Sequence, residues 1–164
     1  MKKLHHSAGR HPPEYVQARR VLLDALDALE AQRPSLVLVG AQAVYMHAGA
    51  LEGTGIYMTT DSDLAIDVDL LANDPEMTQA LKDAEFSPVS NQPGQWTSPV
   101  GIRVDLMTVP HQSQLPHGRR AAKVPPHGEG LARLTPGLEA ALVDNEMMPI
   151  ASSKTMMTAP STFE

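Results

Sequence analysis

The sequence reads as a single α+β domain of the α/β type, and three observations carry that reading. Segments 60–67 and 101–109 alternate apolar and polar residues with the period of a half-buried strand. Ser35-Leu-Val-Leu-Val39 is a short apolar run that passes through Gly40 directly into a helical pattern. Two amphipathic stretches, one opening at Pro13 and one near Pro75, supply helices to cover those strands. A chain of 164 residues with a hydrophobic fraction of 42% is large enough for one core. The domain is expected over 13–150, with residues 1–12 and 151–164 as disordered tails.

Composition narrows the function classes. The chain has no cysteine, which excludes disulfides and thiolate metal sites and fits a reducing cytoplasm. No apolar run reaches the roughly 18 residues of a membrane span, and Met1-Lys-Lys-Leu-His-His lacks the apolar centre of a signal peptide, so a cytoplasmic protein without membrane contact is expected. A formal net charge of −6 argues against a general nucleic-acid coat protein, because phosphate contacts need clustered Lys and Arg.

In chain order, His5, His6 and His11 have no fixed spacing and read as part of the tail rather than as a metal site. Between Pro12-Pro13 and Arg33-Pro34, the residues Val16, Arg20, Leu22, Leu23, Leu26 and Leu29 mark a packing helix. Gly40 permits a tight turn from strand 35–39 into the helix Ala41-Gln-Ala-Val-Tyr-Met-His. The first free N–H groups of that helix form a potential anion site. A glycine at such a turn also serves plain packing. Residues 49–58 form a Gly-rich connection without the Gly-Lys-Ser/Thr ending of a P-loop.

The chemistry is concentrated in Thr59-Thr-Asp-Ser-Asp-Leu-Ala-Ile-Asp-Val-Asp69. On a strand, Asp61, Asp63, Ala65 and Asp67 fall on one face and Ser62, Leu64 and Ile66 on the other. Same-face neighbours lie about 6.6 Å apart along a strand. Carboxylates converging to about 5 Å repel by about 3 kcal/mol at an effective dielectric near 20, so such a pair calls for a cation. In Gly101-Ile-Arg-Val-Asp-Leu-Met-Thr-Val109 the residues Ile102, Val104 and Leu106 oppose Arg103, Asp105 and Met107. Neighbouring strands lie about 4.8 Å apart, which lets Asp105 complete a three-carboxylate cluster of the kind that holds two Mg²⁺ ions. An exposed acidic face is the plainer alternative.

Between these strands, Asn73-Asp74-Pro75 predicts a helix start, with Met77, Ala80, Leu81 and Ala84 on one face and an end near Glu85. Pro93-Gly94 predicts a turn between two short strands, the second carrying Trp96, a packing residue or a base-stacking one. His111 to Gly130 is rich in Pro, Gly and His. There Arg119, Arg120 and Lys123 belong either to a plain surface loop or to a phosphate-binding one. Residues 138–150 predict a hairpin or a helix-to-strand piece turning at Asp144-Asn145.

The matching residues Leu38-Val-Gly-Ala-Gln-Ala-Val44, Thr59-Thr-Asp-Ser-Asp-Leu-Ala-Ile-Asp67 and Arg103-Val-Asp-Leu-Met107 give the chain a resemblance to the nucleotidyltransferase fold of the DNA polymerase beta superfamily. Within it, the chain is most similar to AbiEii-type toxins and minimal nucleotidyltransferases. The resemblance implies a mixed β-sheet flanked by helices, and Mg²⁺ or Mn²⁺ as cofactor, two ions held by Asp61, Asp63 and Asp105. It also implies transfer of a nucleoside monophosphate from an NTP to a hydroxyl of RNA, such as tRNA, or of protein, with a cognate antitoxin as a possible partner. The nucleotide's phosphates would meet Gly40, Ala41, Arg119, Arg120 and Lys123. Ala41 stands where the family's turn usually has Ser or Gly, which removes a hydroxyl worth about 1.5–3 kcal/mol to a charged ligand. Longer members of the resembled family continue into a helical C-terminal region, and against them the chain is expected to be truncated. A catalytically degenerate domain acting as a binding or regulatory protein is the alternative reading. An aspartyl-phosphate site at Asp67-Val-Asp69 is a weaker one.

Overall fold

The computed structural model describes residues 13–48, 59–114 and 120–150. The element order is α1 (Pro13–Ala28), β1 (Leu36–Val39), α2 (Gly40–Ala48), β2 (Asp61–Ile66), α3 (Met77–Asp83), β3 (Ser87–Pro88), β4 (Gln95–Thr97), β5 (Arg103–Thr108), β6 (Arg133–Leu134) and α4 (Glu139–Val143). Short 3-10 segments lie at Glu30–Ser35, Val68–Leu70 and Pro110–Gln112. The six strands form one mixed sheet in the order β1-β2-β5-β4-β3, with β6 added to β5. β1 is antiparallel to β2, β2 is parallel to β5, β5 is antiparallel to β4, and β6 runs parallel to β5. The expected single α+β domain with a mixed sheet is the one the chain adopts.

The core lies between one face of the sheet and helices α1 and α3. Leu64 and Ile66 of β2, Val104 and Leu106 of β5 and Trp96 of β4 are buried together with Val21, Leu22, Ala25 and Leu29 from α1 and Met77 and Leu81 from α3. Trp96 is a packing residue, with its indole N–H donating to the Leu131 carbonyl at 3.0 Å. The α1 stripe differs from the expected one. Ala18, Arg19, Val21, Leu22 and Ala25 are buried while Arg20 is exposed. Leu23 and Leu26 line a cavity of about 520 Å³ bounded also by β1, α2 and residues 141–150. Because α1 is covered on two sides, its leucines do not all mark the same face.

Helix α3 starts later than expected. Pro75 stays outside it, and Glu76 is the N-cap, accepting from the backbone N–H groups of Thr78 and Gln79. A carboxylate satisfies the orphan N–H groups of a first turn better than proline does. His127 ties both sides of this helix start. Its Nδ1 accepts from Met77 N–H and its Nε2 donates to the Ala72 carbonyl. The segment 138–150 is a correction: α4 is a single short helix, and residues 145–150 form no strand among the described residues. The region 120–137 is more ordered than its composition suggests, with Ala122, Val124, His127, Leu131 and Ala132 buried.

Candidate active site

Strand register assembles the acidic face. Asp63 stands opposite Asp105 in the parallel β2–β5 pair, and Asp61 stands opposite Arg103 one pleat away. On the far side of β5, Gln95 stands opposite Asp105, and its amide donates to Asp105 Oδ2 at 3.4 Å. Met107 stands opposite Arg133 of β6, which places that arginine on the same face. Carboxylates separated by some forty residues of sequence thus become neighbours because a parallel pairing brings the two strands into step. β2 and β5 carry Leu64, Ile66, Val104 and Leu106 on the other face, so the hydrophobic core fixes which way the acids point.

Each acid is held differently. The Thr59 hydroxyl donates to Asp61 Oδ1. Gln42, buried at the start of α2, donates to the Asp61 carbonyl at 3.0 Å and to Ser62 Oγ at 2.7 Å, pinning the strand's backbone. Asp63 lies against Gly40, whose φ is +71° and where an added Cβ would meet Asp63 Oδ2 at 2.3 Å. Only glycine fits there, on both backbone and steric grounds. Asp105 is buried, and its Oδ1 has no hydrogen-bond partner. Asp67 lies in extended backbone one residue past the end of β2. It caps the turn that follows β2, accepting from Asp69 N–H, and Gln112 donates to both Asp67 and Asp69. Those partners give Asp67 and Asp69 a structural part, which the aspartyl-phosphate reading would need them free of.

Two arginines supply countercharge. Arg103 Nη2 lies 3.9 Å from Asp61 Oδ2 and Arg133 Nη2 lies 3.7 Å from Asp105 Oδ2. Burial, then the nearby Asp61 and Asp105 charges, push the Asp63 carboxyl above its ordinary 3.8, while Arg133 draws it back. Burial also raises Asp105, with Asp61 adding to it, against the opposing pull of Arg133, the Gln95 amide and Arg103. Both carboxyls are held up mainly by their burial, which the nearby arginines do not offset.

Arg120 and Lys123 are exposed on the segment that leads to β6, and neither contributes to the shifts of Asp63 or Asp105. Arg119 lies outside the described residues, as do the histidines of 1–12, the Gly-rich stretch 49–58 and the tail 151–164. The sequence reading missed Arg133 and Gln95. A face-alternation signal could have found Gln95, since it sits next to Trp96 on a short strand. Arg133 gave no such signal, because β6 has two residues.

The donor set is chemically suited to a hard divalent cation: three carboxylates, one of them buried with an oxygen unsatisfied. As they stand, no three His, Cys, Asp or Glu side chains among the described residues converge on a single metal position. The arginines fill the role of cation instead. The residues fit Mg²⁺ or Mn²⁺ in charge and donor type, and side-chain rotation would be needed to close the ligand set. None of these carboxylates or arginines lines the 520 Å³ cavity between α1, β1, α2 and residues 141–150.

Fold and site together define a small α+β protein with an acidic centre built on two parallel strands. A nucleotidyltransferase family model matches residues 18–155, most of the chain, and the protein belongs to that family, whose reaction moves a nucleoside monophosphate from an NTP. Neither a curated protein nor a solved structure matches the chain. Among the described residues no helix is long and apolar enough to cross a membrane.

Proposed function

We propose that this chain is a Mg²⁺- or Mn²⁺-dependent nucleotidyltransferase of the AbiEii-like kind, which moves an NMP from an NTP to a hydroxyl of RNA or protein within a toxin–antitoxin or phage-defence pair. The observation that carries the reading is the register that sets Asp63 beside Asp105, with Asp61 two residues upstream on the same face. Asp61 and Asp63 would hold both ions and Asp105 the one nearer the acceptor. When bound, the ions supply Lewis-acid activation of the acceptor hydroxyl and charge neutralisation of the departing pyrophosphate. The protein's own part is positioning. Thr59 orients Asp61, and Gln42 fixes the strand beneath it. Gly40 lets Asp63 approach the N-terminus of α2, whose backbone N–H groups would meet the β- and γ-phosphates of a bound nucleotide.

A catalytically degenerate domain that binds a partner is the second reading, and two observations favour it. Ala41 offers the phosphates no hydroxyl, and the carboxylates rest against arginines rather than converging. The separating experiment supplies each α-labelled NTP in turn with Mg²⁺ or Mn²⁺, and with total tRNA or lysate protein. Transfer of label that Asp61→Ala, Asp63→Ala and Asp105→Ala each abolish supports the transferase. No transfer, with no NTP-dependent thermal shift, supports the degenerate domain.

A further inference from the structure

We propose that Arg133 is a displaceable countercharge with two posts: beside Asp105 when no divalent cation is present, and on the nucleotide's phosphates once a cation has taken its place. The proposal rests on the metal-dependent reading above and names a residue that reading does not need.

The side chain is incompletely satisfied where it stands. At 3.7 Å its Nη2 is too far from Asp105 Oδ2 for a hydrogen bond, so the attraction is purely electrostatic. Arg133 Nε is buried without an acceptor, and Asp105 Oδ1 is buried without a donor. An ion pair with an unused donor on one side and an unused acceptor on the other has not reached the partners its geometry could serve. A guanidinium offers five N–H donors in a planar fork matched to phosphate oxygens, and this one engages none of them in a short bond to the carboxylate.

The backbone beneath it is fixed, which leaves the side chain as the moving part. β6 pairs with β5 on one edge and bridges Ala121 on the other, and Leu134 N–H donates to the Arg120 carbonyl at 2.8 Å. Gly94, at φ +81°, lies so close that an added Cβ would meet both Arg133 N and Leu106 O at 2.4 Å. Only a glycine in that turn lets β6 sit near enough for Arg133 to reach the acids.

Charge then decides the direction of movement. Three carboxylates face two guanidiniums, a remainder of one negative charge. Two divalent ions would turn that remainder into three positive charges, repelling the arginine from Asp105 and calling for a polyanion. A triphosphate is that polyanion.

The test titrates the full chain with Mn²⁺ by electron paramagnetic resonance, comparing wild type with Arg133→Met, Arg133→Lys and Asp105→Asn, and checks folding by circular dichroism. Arg133→Met is expected to bind Mn²⁺ about tenfold more tightly than wild type, and a non-hydrolysable NTP analogue with Mn²⁺ about tenfold more weakly. Arg133→Lys, which keeps the charge, is expected to stay within about twofold of wild type for Mn²⁺. Asp105→Asn is expected to lose tight Mn²⁺ binding. Equal or weaker Mn²⁺ affinity in a folded Arg133→Met overturns the countercharge and leaves the metal reading standing. Absence of Mn²⁺ binding in wild type and Arg133→Met alike overturns both.

Discussion

Glu76 and the Asp63–Asp105 pair are carboxylates drawn partly out of water in the same small fold, and they respond in opposite directions. Burial would raise Glu76, yet N–H groups of Gly128, Gln79 and Thr78 outweigh it and hold the carboxyl below its ordinary 4.5. Asp63 and Asp105 are raised first by burial, with neighbouring carboxylate charge adding to it, and the pull of the arginines does not offset that burial. At Glu76 hydrogen bonds outweigh burial, whereas at Asp63 and Asp105 burial prevails and Asp105 Oδ1 has no partner. Glu76 joins a helix start to the 127–130 turn with every bond it makes, a purely structural arrangement. The aspartates hold a site in an unfavourable charge state that stability alone would not select.

Activity gives the largest expected contrast. Asp63→Asn or Asp105→Asn should lower nucleotidyl transfer by at least about a hundredfold, measured by label incorporation, while Glu76→Gln in a folded protein should leave it within a few-fold. Glu76→Gln matching the aspartate variants would break the comparison. Next comes Gly40→Ala, which forces a Cβ into the left-handed region and onto Asp63. A loss of about 2 kcal/mol is expected in urea unfolding, together with weaker NTP binding. Glu76→Ala should cost about 1 kcal/mol through the lost cap.

The smallest effect sharpens the sign. Glu76 contributes stability that is present above 4.5 and is lost as the pH falls through its lowered native value. Asp63 does the reverse. Its native form holds a proton more firmly than the unfolded chain does, so its contribution is full below 3.8 and is lost as the pH rises through its raised native value. Urea midpoints across the acid-to-neutral range should therefore show Asp63→Asn stabilised relative to wild type at neutral pH, by less than about 1 kcal/mol, with the gain vanishing in acid. Glu76→Gln should show a loss at neutral pH that shrinks in acid.

The acidic centre was legible because it obeys a local rule. Alternation over 60–67 and 101–109 placed Asp61, Asp63 and Asp105 on polar faces opposite Leu64 and Leu106, and the core enforces that assignment. Arg133 was not legible, because its place depends on a two-residue strand whose partner is distant in sequence. On α1, Leu22, Leu26 and Leu29 meet the main core as expected, while Leu23 lines the cavity beside β1 and Arg20 is exposed. Asp67 reads as one more acid of the run until the chain turns at Val68–Leu70 and employs it as a cap.

The parallel contact between β2 and β5 requires the chain to complete an excursion through α3, β3 and β4 before Asp105 reaches Asp63. A nascent or truncated chain ending ahead of Arg103 holds two of the three acids and none of the β5 and β6 arginines. The third acid and both arginines thus join the first two acids only through the pairing of β5 with β2 and β6. Residues 13–102 alone would carry the Gly40 turn and two aspartates but not the carboxylate that the parallel register sets beside Asp63, so the centre belongs to the whole sheet and to no single segment.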